Sequence, residues 1–439
     1  MHLLIYTPII TPRVQYAWEV LLHYALHTEF LLTSDHTVYK SAQVAKINYS
    51  NQRLLTKEVF IPQGNLLLEA DIRPQSLSVF QHEGLPAFFQ QNTPDTDFPF
   101  DLPALAFYLV SRYEEYLPFE SDAHGRFEAP QSLAFQHHFL QQPLVNEWAL
   151  RLCELLQHLF PQLNITKPDY HFTPTYDLDL AWAYCHRGWL RTLGGYGRDL
   201  FRGDFKTLRR RWRVQQGQEQ DPFFTYNFLQ NLHEKHQIEP YLFILLGNYA
   251  IYDKNIHYKN KYFQKLIQHL ALHYQVGIHP SYASNENTTR LREEVRRLFN
   301  IIGEPVVRSR QHFLKLKFPQ TYQNLLALNI YADYSLGYAS AIGFRASIAQ
   351  AYPWYDLSQE TKTPLLLHPF QVMDVTLKDY LKLSPQEAKA AVSFMLEKIR
   401  AVGGTFSPLW HNSSLSDVEG WTAWRRLYEE IVEMAIEMA

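Results

Sequence analysis

The stretch Thr175-Tyr176-Asp177-Leu178-Asp179 sets two carboxylates either side of one leucine, directly after an extended segment and ahead of an apolar run. Its β-branched and aromatic residues read as the end of a strand, and a strand that ends on acids presents them at its carboxyl tip. Further on, Tyr274-Gln275-Val276-Gly277-Ile278-His279-Pro280 ends a second extended segment on a histidine. Carboxylates and imidazoles are hard-to-borderline metal ligands, and several of them at strand tips in one domain is how a hydrolytic metal site is assembled. Each motif alone also has a structural reading: an aspartate at a strand end caps the next helix, and His-Pro marks a turn. Recurrence along the chain shifts the balance toward chemistry.

Outward from that stretch, the chain after Pro168 alternates strands with helices, the pattern of a parallel sheet or barrel. Strands are expected at Tyr170 to Tyr176, Pro240 to Leu246, Val276 to His279, Val306 to Phe313, Ala327 to Tyr331, Leu365 to His368 and Thr405 to Leu409. Ser384-Pro385-Gln386-Glu387 is a capping box with proline at the first helical position, followed by an apolar face of Ala388, Ala391, Val392, Met395 and Ile399. Before Pro168, Leu3 to Tyr6, a helix from Val14 to His27 and Phe30 to Thr33 form an αβ opening, with helices near Phe98 to Tyr116 and Asn146 to Leu159. The two prolines of Pro161-Gln162-Leu163-Asn164-Ile165-Thr166-Lys167-Pro168 break the pattern. The expected organisation is a smaller α/β domain at 1–165 and a (β/α) barrel at 166–439.

Asp177, Asp179, His279, Arg310 and His411 all fall near the carboxyl ends of successive expected strands, where such a barrel gathers its site. At these residues the sequence resembles the polysaccharide deacetylases of NodB homology, carbohydrate esterase family four. It is most similar to a Bacteroidetes-type subgroup with an extra amino-terminal domain. The resemblance covers about Tyr170 to Met438 and implies a distorted (β/α) barrel. It implies Asp177 as catalytic base, Arg310 as the residue holding that base, and His411 as the acid. Asp179 and His279 would be ligands of a divalent metal, zinc by preference. The activity implied is hydrolytic removal of an N-acetyl or O-acetyl group from a glycan or sugar precursor, with water activated at the metal. The segments Ser335-Leu336-Gly337-Tyr338, Gly343-Phe344-Arg345-Ala346 and Ser111 to Tyr116 also resemble the subgroup.

The family's second motif is expected to carry another histidine four residues before His279, and Gln275 stands there; glutamine is a poor zinc ligand. Three readings stay open. His312, two residues from Arg310 and so on the same strand face, replaces the ligand; His273 or His368 reaches in; or the metal binds weakly or not at all. In the last case the chain is a degenerate barrel that binds carbohydrate or serves assembly.

Composition narrows the remaining classes. The 439 residues are 46% hydrophobic and 19% charged, a globular balance, and exceed one ordinary core. A net charge of -3 argues against a nucleic-acid or anionic-membrane partner for the chain as a whole. Met1-His2-Leu3-Leu4-Ile5-Tyr6 reads as a first strand, not a secretory signal, no apolar run is long enough to span a membrane, and Cys153 and Cys185 are too few for a disulfide framework. A cytoplasmic location is expected. Gly-x-Ser-x-Gly, Walker and Gly-x-Gly-x-x-Gly motifs are absent from the sequence. Gly194-Gly195-Tyr196-Gly197 is expected to be a flexible loop and Arg209-Arg210-Arg211-Trp212-Arg213 a solvated helix face, with an anionic glycan or a lipid-linked sugar phosphate as its minority ligand. Arg112, Glu114 and Glu115 are assigned to an interdomain ion network.

Overall fold

The computed structural model describes residues 3–418 and 420–437; Met1, His2 and Met438 lie outside the described residues. The elements, in chain order, begin with β1 (Leu3–Tyr6), α1 (Pro12–Trp18), β2 (Phe30–Thr33), β3 (Ala45–Ser50) and β4 (Val59–Pro62). Helices α2 (Leu102–Val110) and α3 (Leu144–Leu159) follow. The four strands pair in parallel in the order β2-β1-β3-β4.

After the proline break come β5 (Thr175–Leu178), α4 (Trp189–Phe201), α5 (Phe205–Gln215), α6 (Tyr226–His236), β6 (Tyr241–Leu245), α7 (Lys261–Ala271) and β7 (Gln275–His279). The chain continues through α8 (Thr288–Ile302), β8 (Arg308–Ser309), α9 (Gln320–Leu326), β9 (Ala332–Asp333), β10 (Tyr352–Asp356), β11 (Thr361–Leu367) and β12 (Val372–Met373). It ends with α10 (Pro385–Val402), β13 (Pro408–His411) and α11 (Thr422–Glu437). These strands form one sheet in the order β10-β11-β9-β8-β7-β6-β5-β13-β12, in which only the β10/β11 pair is antiparallel. The architecture is mixed α/β with parallel sheets. Among the described residues, no helix is long and apolar enough to cross a membrane.

Local chemistry explains most boundaries. The capping box is formed, since Ser384 and Glu387 satisfy each other's backbone N–H, and Gly403 closes α10 in the left-handed region at φ 65°. Two strand expectations shrink for a backbone reason. Val306 to Phe313 contracts to Arg308–Ser309, with the extended run beyond it bonded to the end of β7 as far as His312 and stopped by the left-handed Phe313 and Leu314 (φ 61° and 52°). Ala327 to Tyr331 is not a strand because α9 runs to Leu326 and Asn329 (φ 59°) turns the chain after it. Strand β10 escapes sequence reading because it holds Pro353, tolerated only because it lies at the sheet edge.

The glycine cluster is not a loop. Gly194, Gly195 and Gly197 lie inside α4, and a Cβ at Gly195 would stand 2.6 Å from Arg211 Nη1, so glycine is what lets α5 approach. The arginine run is likewise not simply a solvated face. Arg211 is buried, donating from Nε and Nη2 to Asp199 Oδ2 (2.8 and 2.7 Å) above the Tyr184 ring. One hydrophobic core runs from Leu3 through Trp148 to Tyr428. Polar contacts cross the proline break too: Tyr352 Oη donates to Val110 O, and Glu115 accepts from both Arg112 and Arg345.

Candidate active site and metal centre

The site is built where β5, β7, β8 and β13 end. Asp177 and His411 are register partners on adjacent parallel strands, so both side chains stand at the same height above the sheet. Asp179 lies just past the end of β5, and His279 is the last residue of β7. The chain beyond β8 supplies Arg310 and then His312. His312 keeps the alternation of the strand: Gln311 is extended, and the N–H groups of Arg310 and His312 donate in turn to the Ile278 and Pro280 carbonyls (3.0 and 3.2 Å), before the chain turns left-handed at Phe313.

One ligand atom from each of Asp179, His279 and His312 lies within 4.8 Å of the others. Nε2 of His279 is 3.2 Å from Asp179 Oδ1 and 3.6 Å from Asp177 Oδ2, and Nε2 of His312 is 3.7 Å from Asp179 Oδ2. The far nitrogens decide what this means. Nδ1 of His279 meets the carbonyl oxygen of Arg310, which can only accept, so this nitrogen carries a proton and Nε2 is the ring nitrogen turned toward the carboxylates, free to ligate in the tautomer protonated at Nδ1. Nδ1 of His312 is 3.0 Å from Asp253 Oδ1 in the same way. Imidazoles oriented through their outer nitrogens are how ligating histidines are held. Asp179 Oδ1 is buried with no hydrogen-bond partner. Lone pairs facing carboxylate oxygens repel unless a cation lies between them, so the donor set fits a divalent metal ion. Two imidazoles and one carboxylate with a position left open form a known zinc set.

The charges agree with this. Burial would push the Asp179 carboxyl up, but the charges of His312 and His411 hold it well below the usual range. Burial opposes a charged His312, yet Asp179 and Asp253 outweigh it and raise the imidazole to about 9. In the metal-free protein a proton thus takes the place the cation would have.

Asp177 is fixed by Arg310, which donates from Nη1 to Asp177 Oδ1 (3.2 Å), from Nη2 to Thr175 Oγ1 (2.7 Å) and from Nε to the Tyr334 carbonyl (2.9 Å). The fully buried guanidinium lies 4.6 Å from the centre of the Phe243 ring. Across the site, His411 Nδ1 is 2.9 Å from Asp374 Oδ1, and the same carboxylate accepts the His411 backbone N–H (2.8 Å). Burial opposes the His411 cation, but Asp374, with Asp179 and Asp177, raises it to about 10. His411 is therefore a held acid.

These groups open on a cavity of about 180 Å³ whose other wall is Leu314, Met373 and Leu409, part of a small apolar cluster of their own. Arg126, from the amino-terminal region, reaches this cavity and donates from Nη1 to the Phe313 carbonyl (2.8 Å). A larger open groove of about 720 Å³ between α6 and α11 is lined by ion-paired surface side chains such as Lys235 and Glu433 and lies away from this chemistry.

Gln275 needs correction. It is exposed at the amino end of β7, four residues from His279 and so roughly 13 Å away along the strand. Its side chain cannot reach the site, and its identity says nothing about metal affinity. His273 is exposed at that same end, and His368 stacks on Tyr334 with ring centres 4.3 Å apart; neither joins the cluster. Sequence reading missed Asp253, Asp374 and Arg126. Asp374 follows a strand of only two residues and Asp253 lies in the strandless connection after β6. The signal of an acid at a strand end was present for Asp374, but the strand was too short to recognise.

Residues 3–161 match a family of unknown function, DUF7033. No curated protein matches the chain. The solved structures it resembles include a protein from Mycobacterium smegmatis assigned as a polysaccharide deacetylase, at 13% identity over 62% of this chain and 86% of that one, with a TM-score of 0.41. A polysaccharide deacetylase from Bacillus cereus matches at 10% identity over 62% and 86%, with a TM-score of 0.29. A CE4-family pseudoenzyme from Bacillus anthracis matches at 9% identity over 61% and 62%, with a TM-score of 0.28. At these scores the likeness decides nothing about chemistry, which rests on the residues.

Proposed function

We propose that this protein is a metal-dependent carbohydrate deacetylase that hydrolyses an N-acetyl or O-acetyl group on a glycan or sugar precursor. The observation that carries the reading is that two proton-handling groups border the Asp179-His279-His312 donor set, Asp177 Oδ2 lying 3.6 Å from His279 Nε2 and His411 Nε2 3.8 Å from Asp179 Oδ2. A divalent cation bound there, zinc by its donor preferences, supplies Lewis acidity toward water and the acyl carbonyl. Asp177, aimed by Arg310, takes the proton of the attacking water. His411, protonated up to about pH 10 through Asp374, delivers a proton to the departing nitrogen or oxygen. Without that proton an amine would have to leave as its anion. The wall of Leu314, Met373 and Leu409 suits a methyl group, and the small cavity suits an acyl group no larger than a few atoms.

We also read the nine-strand sheet as a distorted barrel interrupted between β12 and β10, and residues 1–165 and 166–439 as two units. The first of these supplies Arg126 to the cavity of the second.

The test is zinc titration by calorimetry together with acetate release from N-acetylated oligosaccharides, on the wild type and on Asp179→Ala and His279→Ala. Zinc binding and acetate release lost together in both variants would support the reading. Zinc bound with no acetate released from N- or O-acetylated glycans would leave a sugar-binding protein in its place.

A further inference from the structure

Helices α4 and α5 form a hairpin inserted directly after the site acids of β5, and its sidedness is inverted. Trp189, Leu190, Leu193, Leu200 and Phe201 share one face of α4 at 3.6 residues per turn, and that face is turned to solvent, with Phe201 94% and Trp189 71% exposed. The opposite face buries Asp199 against Arg211. A helix packed on a soluble core turns its apolar stripe inward; here the ion pair is inside and the apolar stripe outside. Phe205 and Trp212 carry the exposed surface onto α5. Tyr249 and Ile251 extend it across the connection after β6, where Arg191 lies 4.4 Å from the centre of the Tyr249 ring and donates to the carbonyls of Lys254 and Asn255.

The charge is as lopsided as the hydrophobicity. Residues 187–213 hold nine Lys and Arg against two Asp, in a chain whose net charge is -3. Arg202, Lys206, Arg209 and Arg213 are exposed beside the apolar side chains. The chain-wide balance, which argued against an anionic membrane, conceals this segregation.

We propose that the α4–α5 hairpin docks the protein on the surface of an anionic lipid bilayer. Its aromatic and leucine side chains enter the boundary between headgroups and acyl chains, and its guanidinium and ammonium groups meet lipid phosphates. Charge complementarity selects this occupant. A second copy would set the same positive face against itself, and leucines, which cannot stack on bases, make up much of the face. The connections that carry the patch also supply Asp179 and Asp253, so docking holds the pocket on the membrane side, where a lipid-linked sugar is presented; this last clause rests on the deacetylase reading, and the docking itself does not.

The test is co-sedimentation with vesicles of phosphatidylcholine alone or mixed with phosphatidylglycerol, at low and high salt. The wild type should pellet with the mixed vesicles only, and less so as salt rises. Trp189→Ser with Phe201→Ser should lower the partition about tenfold or more, since both side chains are exposed and leave the fold intact by circular dichroism. Arg202→Glu with Arg209→Glu should remove the preference for anionic lipid. The proposal is overturned if the wild type stays in the supernatant at low salt, or if both double variants pellet as the wild type does. It is overturned equally if light scattering shows a dimer that Trp189→Ser with Phe201→Ser dissolves, or if a single-stranded oligonucleotide displaces the vesicles.

Discussion

Two buried clusters of charge lie in this molecule, and they differ in whether they are complete. In one, Glu115 accepts from Arg112 Nε (2.8 Å) and Arg345 Nε (2.9 Å), Arg112 donates to Glu114 (2.7 Å) and Tyr338, and Arg345 also donates to the Gly337 carbonyl. Two arginines meet two glutamates and nothing is left over. In the other, Asp177, Asp179, His279 and His312 converge with Arg310 and His411, yet Asp179 Oδ1 has no hydrogen-bond partner and its side chain remains 35% exposed to the cavity. The first cluster joins residues 112–115 to residue 345 and is closed to solvent. The second is open to the cavity and holds a donor set that a divalent cation fits. Burying charge is costly unless every member is paired, so the two clusters should respond differently when a member is removed.

Breaking each cluster should therefore cost a different quantity. The largest effect is expected from Asp177→Asn, which keeps the shape but removes the base. Acetate release should fall about 10²–10⁴-fold with unchanged zinc affinity; activity near wild type would show that Asp177 is not the base. Glu115→Gln strands two buried arginines and should lower stability to chemical denaturation by about 3–5 kcal/mol. Zinc affinity, measured on the folded variant, should not change, and a parallel loss of zinc binding would mean that the two clusters are coupled. Asp253 meets the outer nitrogen of His312 and also accepts from the Tyr282 and Ala283 N–H groups (2.8 and 3.3 Å). Asp253→Asn keeps one acceptor oxygen but removes the charge behind His312, and should weaken zinc binding about 10–100-fold.

The pH dependence sharpens the contrast. His312 is raised to about 9 in the metal-free protein, so metal must displace its proton. Apparent zinc affinity should rise with pH up to about 9 and level off above it, with proton release visible as a dependence of calorimetric heat on the buffer. As for stability, His312 and His411 both have folded values above their ordinary value of about 6.5. Their contribution is complete below that value and is lost as pH rises through about 9 and about 10. The metal-free protein should lose stability on that alkaline limb, and Asp374→Asn should move the His411 part of it toward neutral pH. The smallest effect belongs to Gln275→His. A new imidazole at the far end of β7 should leave zinc affinity unchanged, and a gain would place position 275 in the site after all.

Asp177, Asp179, His279, Arg310 and His411 could be picked out in the sequence because each follows a run of residues suited to a buried strand, and a parallel strand of that kind has its carboxyl end at the site. His312 was open among alternatives, and the backbone argument offered for it, strand alternation, holds: Arg310 and His312 donate in turn to the Ile278 and Pro280 carbonyls across an extended Gln311. The left-handed pair Phe313 and Leu314 bends the chain only after it. Arg211 reads as one of a row of surface cations until Gly195 is seen to admit it against Asp199.

The sequence by itself determined the alternation of strands and helices, the caps of α10, and which strand ends carry acids, imidazoles and a guanidinium. These follow from hydrophobic period and local hydrogen bonding, which act over a few residues. Only the tertiary structure decided that Gln275 lies at the wrong end of its strand, and that Asp253 and Asp374 orient two histidines. The same is true of Arg126, which crosses into the cavity, and of α4, which turns its apolar face outward. Each of these depends on which segments are brought together across long stretches of chain, and no local pattern encodes that pairing.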